Sequence, residues 1–377
     1  MNGDKTQWVD LASRSLGAGV IYANDELFAD RENLIKPEDP VFQPHTFGNK
    51  GQVMDGWETR RRREPADGQG DSAIVRLGCA GVVRRVVVDT SYFTGNYPPE
   101  VSVEACGAEG YPSPAELASA QWSTLVPRST VAGDARNEFD VAVSSTGEQR
   151  FSHVRLTILP DGGVARLRVY GEPVPDPRLL PATIDLAALE NGAVVTGCSN
   201  MFYSSPANLL RPGLARVMGD GWETARRRDQ GNDWVAIRLA CAGSVEVVEL
   251  DTSHFVGNAP GWAALGSDGG GLVPRTALQP DTRHRFAVAA GPVAELVRLD
   301  VYPDGGMARL RVFGMPTPQA RAALADRFLR LLPEAQLAAV LGAAGLPPEE
   351  AARKAGSRGG VADLPPRARE RFRLRSE

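Results

Sequence analysis

Alternation with a period of two dominates the chain. In VRLTIL (154–159) Val154, Leu156 and Ile158 fall on one face, and in ARLRVY (165–170) Ala165, Leu167 and Val169 do so with Arg166 and Arg168 opposite. This is the pattern of strands with one apolar and one polar face, and the alternating arginines predict a solvated outer face. PDGG between the two runs supplies residues that tolerate positive φ, which predicts a tight hairpin, and the same four letters recur at 303–306. Hairpins of alternating strands predict an antiparallel sandwich or barrel, and two tandem β-sandwiches are the expected all-β fold. Only beyond Pro318 does the spacing become helical: Leu324, Phe328 and Leu331 predict one or two helices docked on the sandwiches, followed by a frayed basic tail.

The apolar pattern belongs to blocks that occur twice. VMDGWETRRRR (53–63) returns as VMGDGWETARRR (217–228), IVRLGCAG (74–81) as AIRLACAG (236–243), and DTSYFTGNYP (89–98) as DTSHFVGNAP (251–260). VRLTILPDGGVARLRVYG (154–171) returns as VRLDVYPDGGMARLRVFG (297–314), and further upstream Asn33 faces Asn208. The first copy is longer by an excursion, EACGAEGYPSPAELASAQW (104–122), and by FQPHTFGNKG (42–51), which carries His45 and Lys50. The expected division is a first repeat over 1–175, a second over 176–316, and a helical, basic extension over 317–377, with the proline-dense EPVPDPRLLP (172–181) as a stiff linker.

Composition narrows the function. With 42% apolar and 23% charged residues the chain is ordinary globular material, and a net charge of −4 lacks the basic excess that nucleic acid requires. Neither a signal-peptide core in MNGDKTQWVDLASRSLG nor a run of eighteen apolar residues is present, so neither a membrane partner nor secretion is expected and the chain reads as cytoplasmic. From 319 to 377 ten Arg and one Lys face seven acids, so the repeats are more acidic than the whole. Cys79, Cys106, Cys198 and Cys241 show no CxxC spacing and the four histidines no ligand spacing, so buried free thiols and no metal site are expected. GxSxG, HExxH and P-loop signatures are absent, which leaves acid or base catalysis with electrostatic holding of the substrate.

The candidate residues lie in the paired blocks. In DGWETRRRR the Asp-Gly pair predicts a turn and Trp57 a core anchor, while Glu58 stands beside a run of guanidinium forks, Arg60, Arg61 and Arg62, which recognise carboxylates bidentately. Glu223, Arg226 and Arg227 repeat the arrangement, with Ala225 in place of one arginine; a solvated salt-bridged strand is the plainer alternative. Asp89, Asp251, Asn96 and Asn258 belong to loops of a type that rims a pocket, or the Asp side chains cap the turns. His254 replaces Tyr92, so only the second copy has a group there that titrates near neutrality. The first copy also reads GQGDSA where the second has GNDW, and so lacks Trp234.

Together MDGWETRRRR, DTSYFTGNYPP, PDGGVARLRVYG and their second copies resemble the allantoicase family over about residues 10–315. The resemblance implies two jelly-roll domains akin to galactose-binding sandwiches, homo-oligomeric assembly, and hydrolysis of allantoate to ureidoglycolate and urea without a predicted cofactor, the divalent-metal dependence being open. Arg60, Arg61, Arg62, Arg226 and Arg227 with Asn96 and Asn258 are then the expected substrate ligands, and Glu58, Glu223, Asp89, Asp251 and His254 the candidates for proton transfer. A non-catalytic carbohydrate or small-anion binding sandwich is the alternative from another class.

Overall fold

The computed structural model describes residues 8–64, 66–142, 148–289, 291–357, 360–361 and 364–372. The start of the segment read for a signal peptide (1–7) and the end of the basic tail (373–377) lie outside the described residues. Both repeats fold as antiparallel sheets of eight strands with the same order. In the first these are β1 (Val9–Asp10), β2 (Gly19–Ala23), β3 (Asp71–Asp89), β4 (Glu100–Cys106), β5 (Ser123–Thr130), β6 (Arg136–Asp140), β7 (Phe151–Leu159) and β8 (Arg166–Pro173). The order is β1-β8-β3-β7-β4-β5, with β2 and β6 also on β3.

The nineteen residues of β3 explain the sandwich. Its first part, Asp71 to Arg76, pairs with β7 and β2, whereas Gly81 to Asp89 pairs with β8, and the end of that stretch also with β6. Between Arg76 and Gly81 the ladder breaks, so one strand serves both layers. Val75 and Leu77 of β3, Val154 and Leu156 of β7, and Val101 and Val103 of β4 are all buried, as period-two burial requires. The second repeat reproduces this with β9 (Ile184–Asp185), β10 (Val194–Cys198), β11 (Asp233–Asp251), β12 (Trp262–Ser267), β13 (Gly270–Ala277), β14 (Arg283–Ala287), β15 (Val293–Tyr302) and β16 (Arg309–Pro316). Two jelly-roll-like sandwiches are thus the observed fold.

Two sequence expectations are corrected. PDGG does not close a hairpin, because β7 and β8 pair with β3 on opposite sides and not with each other. The segment after it, Gly163–Val164, instead pairs with Trp57–Glu58. Nor are the alternating arginines solvated: Arg166 is 1% and Arg168 6% exposed, and Arg309 and Arg311 are equally buried. The face opposite the core is covered by the chain that leads into the DGWE motif. Arg166 donates to the Asp55 carboxylate at 2.6 Å and to the carbonyls of Asp55 and Glu38, and Arg168 donates to the carbonyls of Lys36 and Glu38. Arg309 and Arg311 hold Asp220, Gly213 and Arg211 by their carbonyls in the same way.

Glycine is required where the motif segments meet. A Cβ on Gly163 would lie 2.0 Å from the Phe93 ring, and one on Gly306 1.9 Å from Phe255. Phe93 is fully buried and has nowhere to go. Gly163→Ala is expected to lower stability by about 2 kcal/mol, the scale of overpacking a filled core, in urea denaturation.

Of the four free cysteines, Cys79 and Cys106 are buried, while Cys198 and Cys241 are only half-buried. Helix α1 (Pro114–Leu117) lies in the excursion, and α2 (Pro318–Leu331), α3 (Glu334–Ala343), α4 (Pro348–Ser357) and α5 (Pro366–Arg371) form the extension, four helices among the described residues where one or two were expected, the last of them in the stretch read as a frayed tail. The chain divides into two compact units: Val9–Val174 is joined by α3 and α4, and Pro175–Phe328 by α5. In the first of these Gln336 of α3 is buried and donates to Glu109 at 2.7 Å, against Gly107.

Candidate active site

The three paired blocks converge on one carboxyl group per repeat. Trp57 is completely buried and its indole donates to the Asp25 carbonyl at 2.7 Å; Trp222 does the same to Asn200 at 2.9 Å. Anchoring the Trp on the core side turns the next residue, Glu58 or Glu223, to the other face, because successive strand residues alternate. Both glutamates are half-buried. Asn96 donates its amide to Glu58 at 2.8 Å, and Asn258 to Glu223 at 2.6 Å. The carbonyls of the same asparagines accept from Gly163 and Gly306, at 2.7 and 2.8 Å. Glu, Asn and Gly, each from a different block, therefore fix one another. Burial pushes the Glu58 carboxyl above its ordinary range, partly offset by the Asn96 hydrogen bond.

The other expected proton carriers sit differently. Asp89 accepts from the backbone and hydroxyl of Ser91 at 2.9 and 2.6 Å, and Asp251 from the Ser253 backbone at 2.8 Å. With 4% and 0% exposure these are turn caps, the structural alternative weighed above. His254 and Tyr92 occupy the same left-handed position, φ 72° and 68°, each tied by its backbone N–H to an aspartate, Asp281 or Asp134. The exposed His254 ring meets the Ala215 carbonyl through Nε2 at 3.0 Å, which places a proton on that nitrogen.

The arginines divide into fixed and free. Arg62 pairs with the buried Asp71 at 2.6 Å, and Arg227 with Asp233 at 2.8 Å. Arg60 pairs with Asp25. At the matching place in the second repeat Ala225 has no charge, and Asp25 is replaced by Asn200, whose side-chain Oδ1 accepts from the Ala225 backbone N–H as Asp25 Oδ1 accepts from that of Arg60. Both charges vanish together and the turn survives, a covariation between copies that was visible in the sequence but not paired there. Arg61 and its counterpart Arg226 are exposed and have no partner among the described residues. His45 and Lys50 are exposed on a two-stranded turn, Phe47–Gly48 with Gly51–Gln52.

Also unforeseen were the buried Arg166 and Arg309 braces and the bonds from Asn24 to Asp71 and from Ser199 to Asp233, at 2.8 and 2.9 Å. Among the described residues no group of three or more His, Cys, Asp or Glu side chains is placed to hold a metal ion, and no helix is long and apolar enough to cross a membrane.

A jelly-roll sandwich present twice, each copy holding a half-buried carboxyl group against a carboxamide, defines a class of duplicated β-sandwich proteins. Residues 9–174 and 184–317 both match the allantoicase repeat. A probable allantoicase of Nocardia farcinica is 58% identical over 82% of this chain and 94% of its own length, and one of Streptomyces avermitilis is 51% identical over 86% and 90%. The crystal structure of allantoicase from Saccharomyces cerevisiae is 34% identical, covers 82% of this chain and 94% of its own, and superposes with a TM-score of 0.70. The chain belongs to the allantoicase family.

Proposed function

We propose that the chain hydrolyses allantoate to ureidoglycolate and urea, with Glu58 of the first repeat as the working acid and base. The observation that carries this is the half-buried Glu58, clipped to Asn96 with its carboxyl pKa raised by burial, three residues from Arg61, which has no partner among the described residues. Allantoate has one carboxylate and two ureido groups on a single carbon. Arg61 clamps the carboxylate, and protonated Glu58 gives its proton to the nitrogen of one ureido group. That C–N bond breaks and urea leaves with the bonding pair, while the lone pair of the remaining ureido N–H forms an iminium with the central carbon. Water then adds to that carbon, and the Glu58 carboxylate takes the water proton, which restores the acid. Asn96 orients Glu58 and does not itself need to touch the substrate.

Urea release from allantoate by the purified protein tests the reaction; no release above background overturns it. Arg61→Ala is expected to raise KM about tenfold or more with a smaller change in kcat, since a carboxylate clamp acts on ground state and transition state alike. An unchanged KM would remove Arg61 from the site. Glu223, Asp89, Asp251 and His254 serve the framework in this reading, and so do Arg62 and Arg227. Homo-oligomeric assembly in the cytoplasm belongs to the same proposal, supported by exposed apolar side chains such as Phe28, Phe47, Phe202 and Tyr203. Light scattering measures the assembly.

A further inference from the structure

The outer face of the first sandwich carries a feature that its twin does not. Side chains on the non-core side of β3, β7 and β4 line up in rungs: Arg76, His153 and Cys106; Ile74, Arg155 and Glu104; Ser72, Thr157 and Ser102. The excursion, present only in this repeat, covers the first rungs, with Ile74, Cys106 and Leu117 of α1 as a small core and Trp122 packed against it. Arg155 lies over the Trp122 ring at 4.4 Å. Beyond that cover a pocket of about 500 Å³ opens, lined by Arg62, Gln69, Gly70, Ser72, Glu104, Arg155 and Thr157 among others.

The second repeat fills the corresponding place with its own side chains. Trp234 stands where Ser72 is, stacked by Arg298 at 4.6 Å, and Asp300 stands where Thr157 is, bonded to Arg298 and Asn232. Arg227, the counterpart of Arg62, is closed off by Asp229 through Nε and Nη2. In the first repeat Arg62 Nε is buried and has no partner among the described residues. Arg155 spends Nε and Nη2 on a single oxygen of Glu104, Oε2. Arg155 Nη1, Glu104 Oε1 and the hydroxyls of Ser72 and Thr157 have no partner among the described residues. Three separate sequence differences thus leave one open, solvent-facing pocket with several donors and a carboxylate acceptor, its two guanidinium charges already balanced by Asp71 and Glu104.

We infer that this pocket is a second binding site, for a small ligand bearing a ureido group. A ureido carbonyl accepts from the guanidinium N–H groups and the hydroxyls, and its N–H groups donate to Glu104 Oε1; a neutral head is favoured because the charges are already paired. Glu58, Asn96 and Arg61 are not among the residues that line it. The choice of ureido ligand rests on the proposed reaction, whose substrate and products all carry that group.

The test uses the full chain and the Trp122 indole N–H resonance, which donates to the Leu117 carbonyl and sits under Arg155. Trp122→Phe assigns the signal. Urea, ureidoglycolate and a neutral hexose are titrated separately. Saturable shifts with urea or ureidoglycolate are expected, and tighter binding of ureidoglycolate would identify the product acid rather than urea as the source. Ser72→Trp, which installs the residue the second repeat accommodates at this place, is expected to weaken binding at least tenfold and leave turnover of saturating allantoate within twofold. No saturable shift, a hexose that binds while ureido compounds do not, or an equal shift in Ser72→Trp overturns the inference. Loss of turnover in a folded Ser72→Trp variant also overturns it, because the pocket would then be the reaction site itself. Ureido binding by a chain that releases no urea would instead overturn the proposed reaction and leave this site standing.

Discussion

Glu58→Gln lowers kcat on allantoate by two to four orders of magnitude, the range for loss of a positioned general acid and base. Gln has the same shape and its amide oxygen still accepts from Asn96, so the site stays assembled and the loss reports chemistry. Glu223→Gln costs less than tenfold; the reverse ranking would move the reaction to the second repeat. In the wild type, turnover falls as pH rises through the elevated Glu58 pKa, since the acid form gives the proton. The linkage to stability has the same direction. Between its unfolded and folded pKa values the folded state holds more protons, so raising the pH through that window lowers stability. Glu58→Gln removes that slope, and the variant is at least as stable as the parent at neutral pH while nearly inactive. Steady-state kinetics and urea denaturation at several pH values measure both.

Arg166→Leu costs about 3–5 kcal/mol, the scale for breaking a buried ion pair from one side. The substitution takes the buried partner from the Asp55 carboxylate, leaving it Lys36 and the Val41 N–H, and strands three backbone carbonyls that the guanidinium satisfies, those of Asp55, Glu38 and Ala165. Asp55 makes the brace pH-sensitive: burial alone would raise its pKa, but the bonds from Arg166 and Lys36 bring it down to about 2. A depressed carboxylate stabilises above its unfolded pKa, and that contribution is lost as pH falls toward 2. In the second repeat burial and the neighbouring Arg311 lower Arg309 to about 10. Arg61→Leu, on the surface, changes stability by less than about 0.5 kcal/mol. Denaturant midpoints of the two variants decide it, and a similar small shift for both would show that the buried arginines are not braces.

How much the sequence revealed depends on the range of the contact. Alternation in VRLTIL and the duplicated blocks carried the sandwich fold, because period-two burial is local. Trp57 as a core anchor and the equivalence of Asn33 and Asn208 were equally readable, and both asparagines donate to the glycine before their Trp, Gly56 and Gly221. Arg166 and Arg168 were misread because the segment that covers them lies some 130 residues earlier, and no periodicity records a distant cover. The PDGG segment was misread because two strands joined by a short loop can both pair with a third. The missing Trp of the first repeat was legible as a difference, but its meaning as a cavity required the register that puts Ser72 beside Thr157. That Asn96 holds Glu58 could not be read from spacing at all, since the two meet only where separate loops cross.

The extension has a consequence for the order of events on the ribosome. Helices α3 and α4 complete the unit built on Val9–Val174, not the sandwich that immediately precedes them in the chain. The oldest domain of the nascent protein must wait for its last pieces while the whole second sandwich is made, roughly ten to forty seconds at ordinary elongation rates. During that interval the surface around Gly107 and Glu109 is bare of Gln336. A stop codon shortly after the second repeat would make that transient state permanent, and its cost would fall on the domain farthest away in the gene.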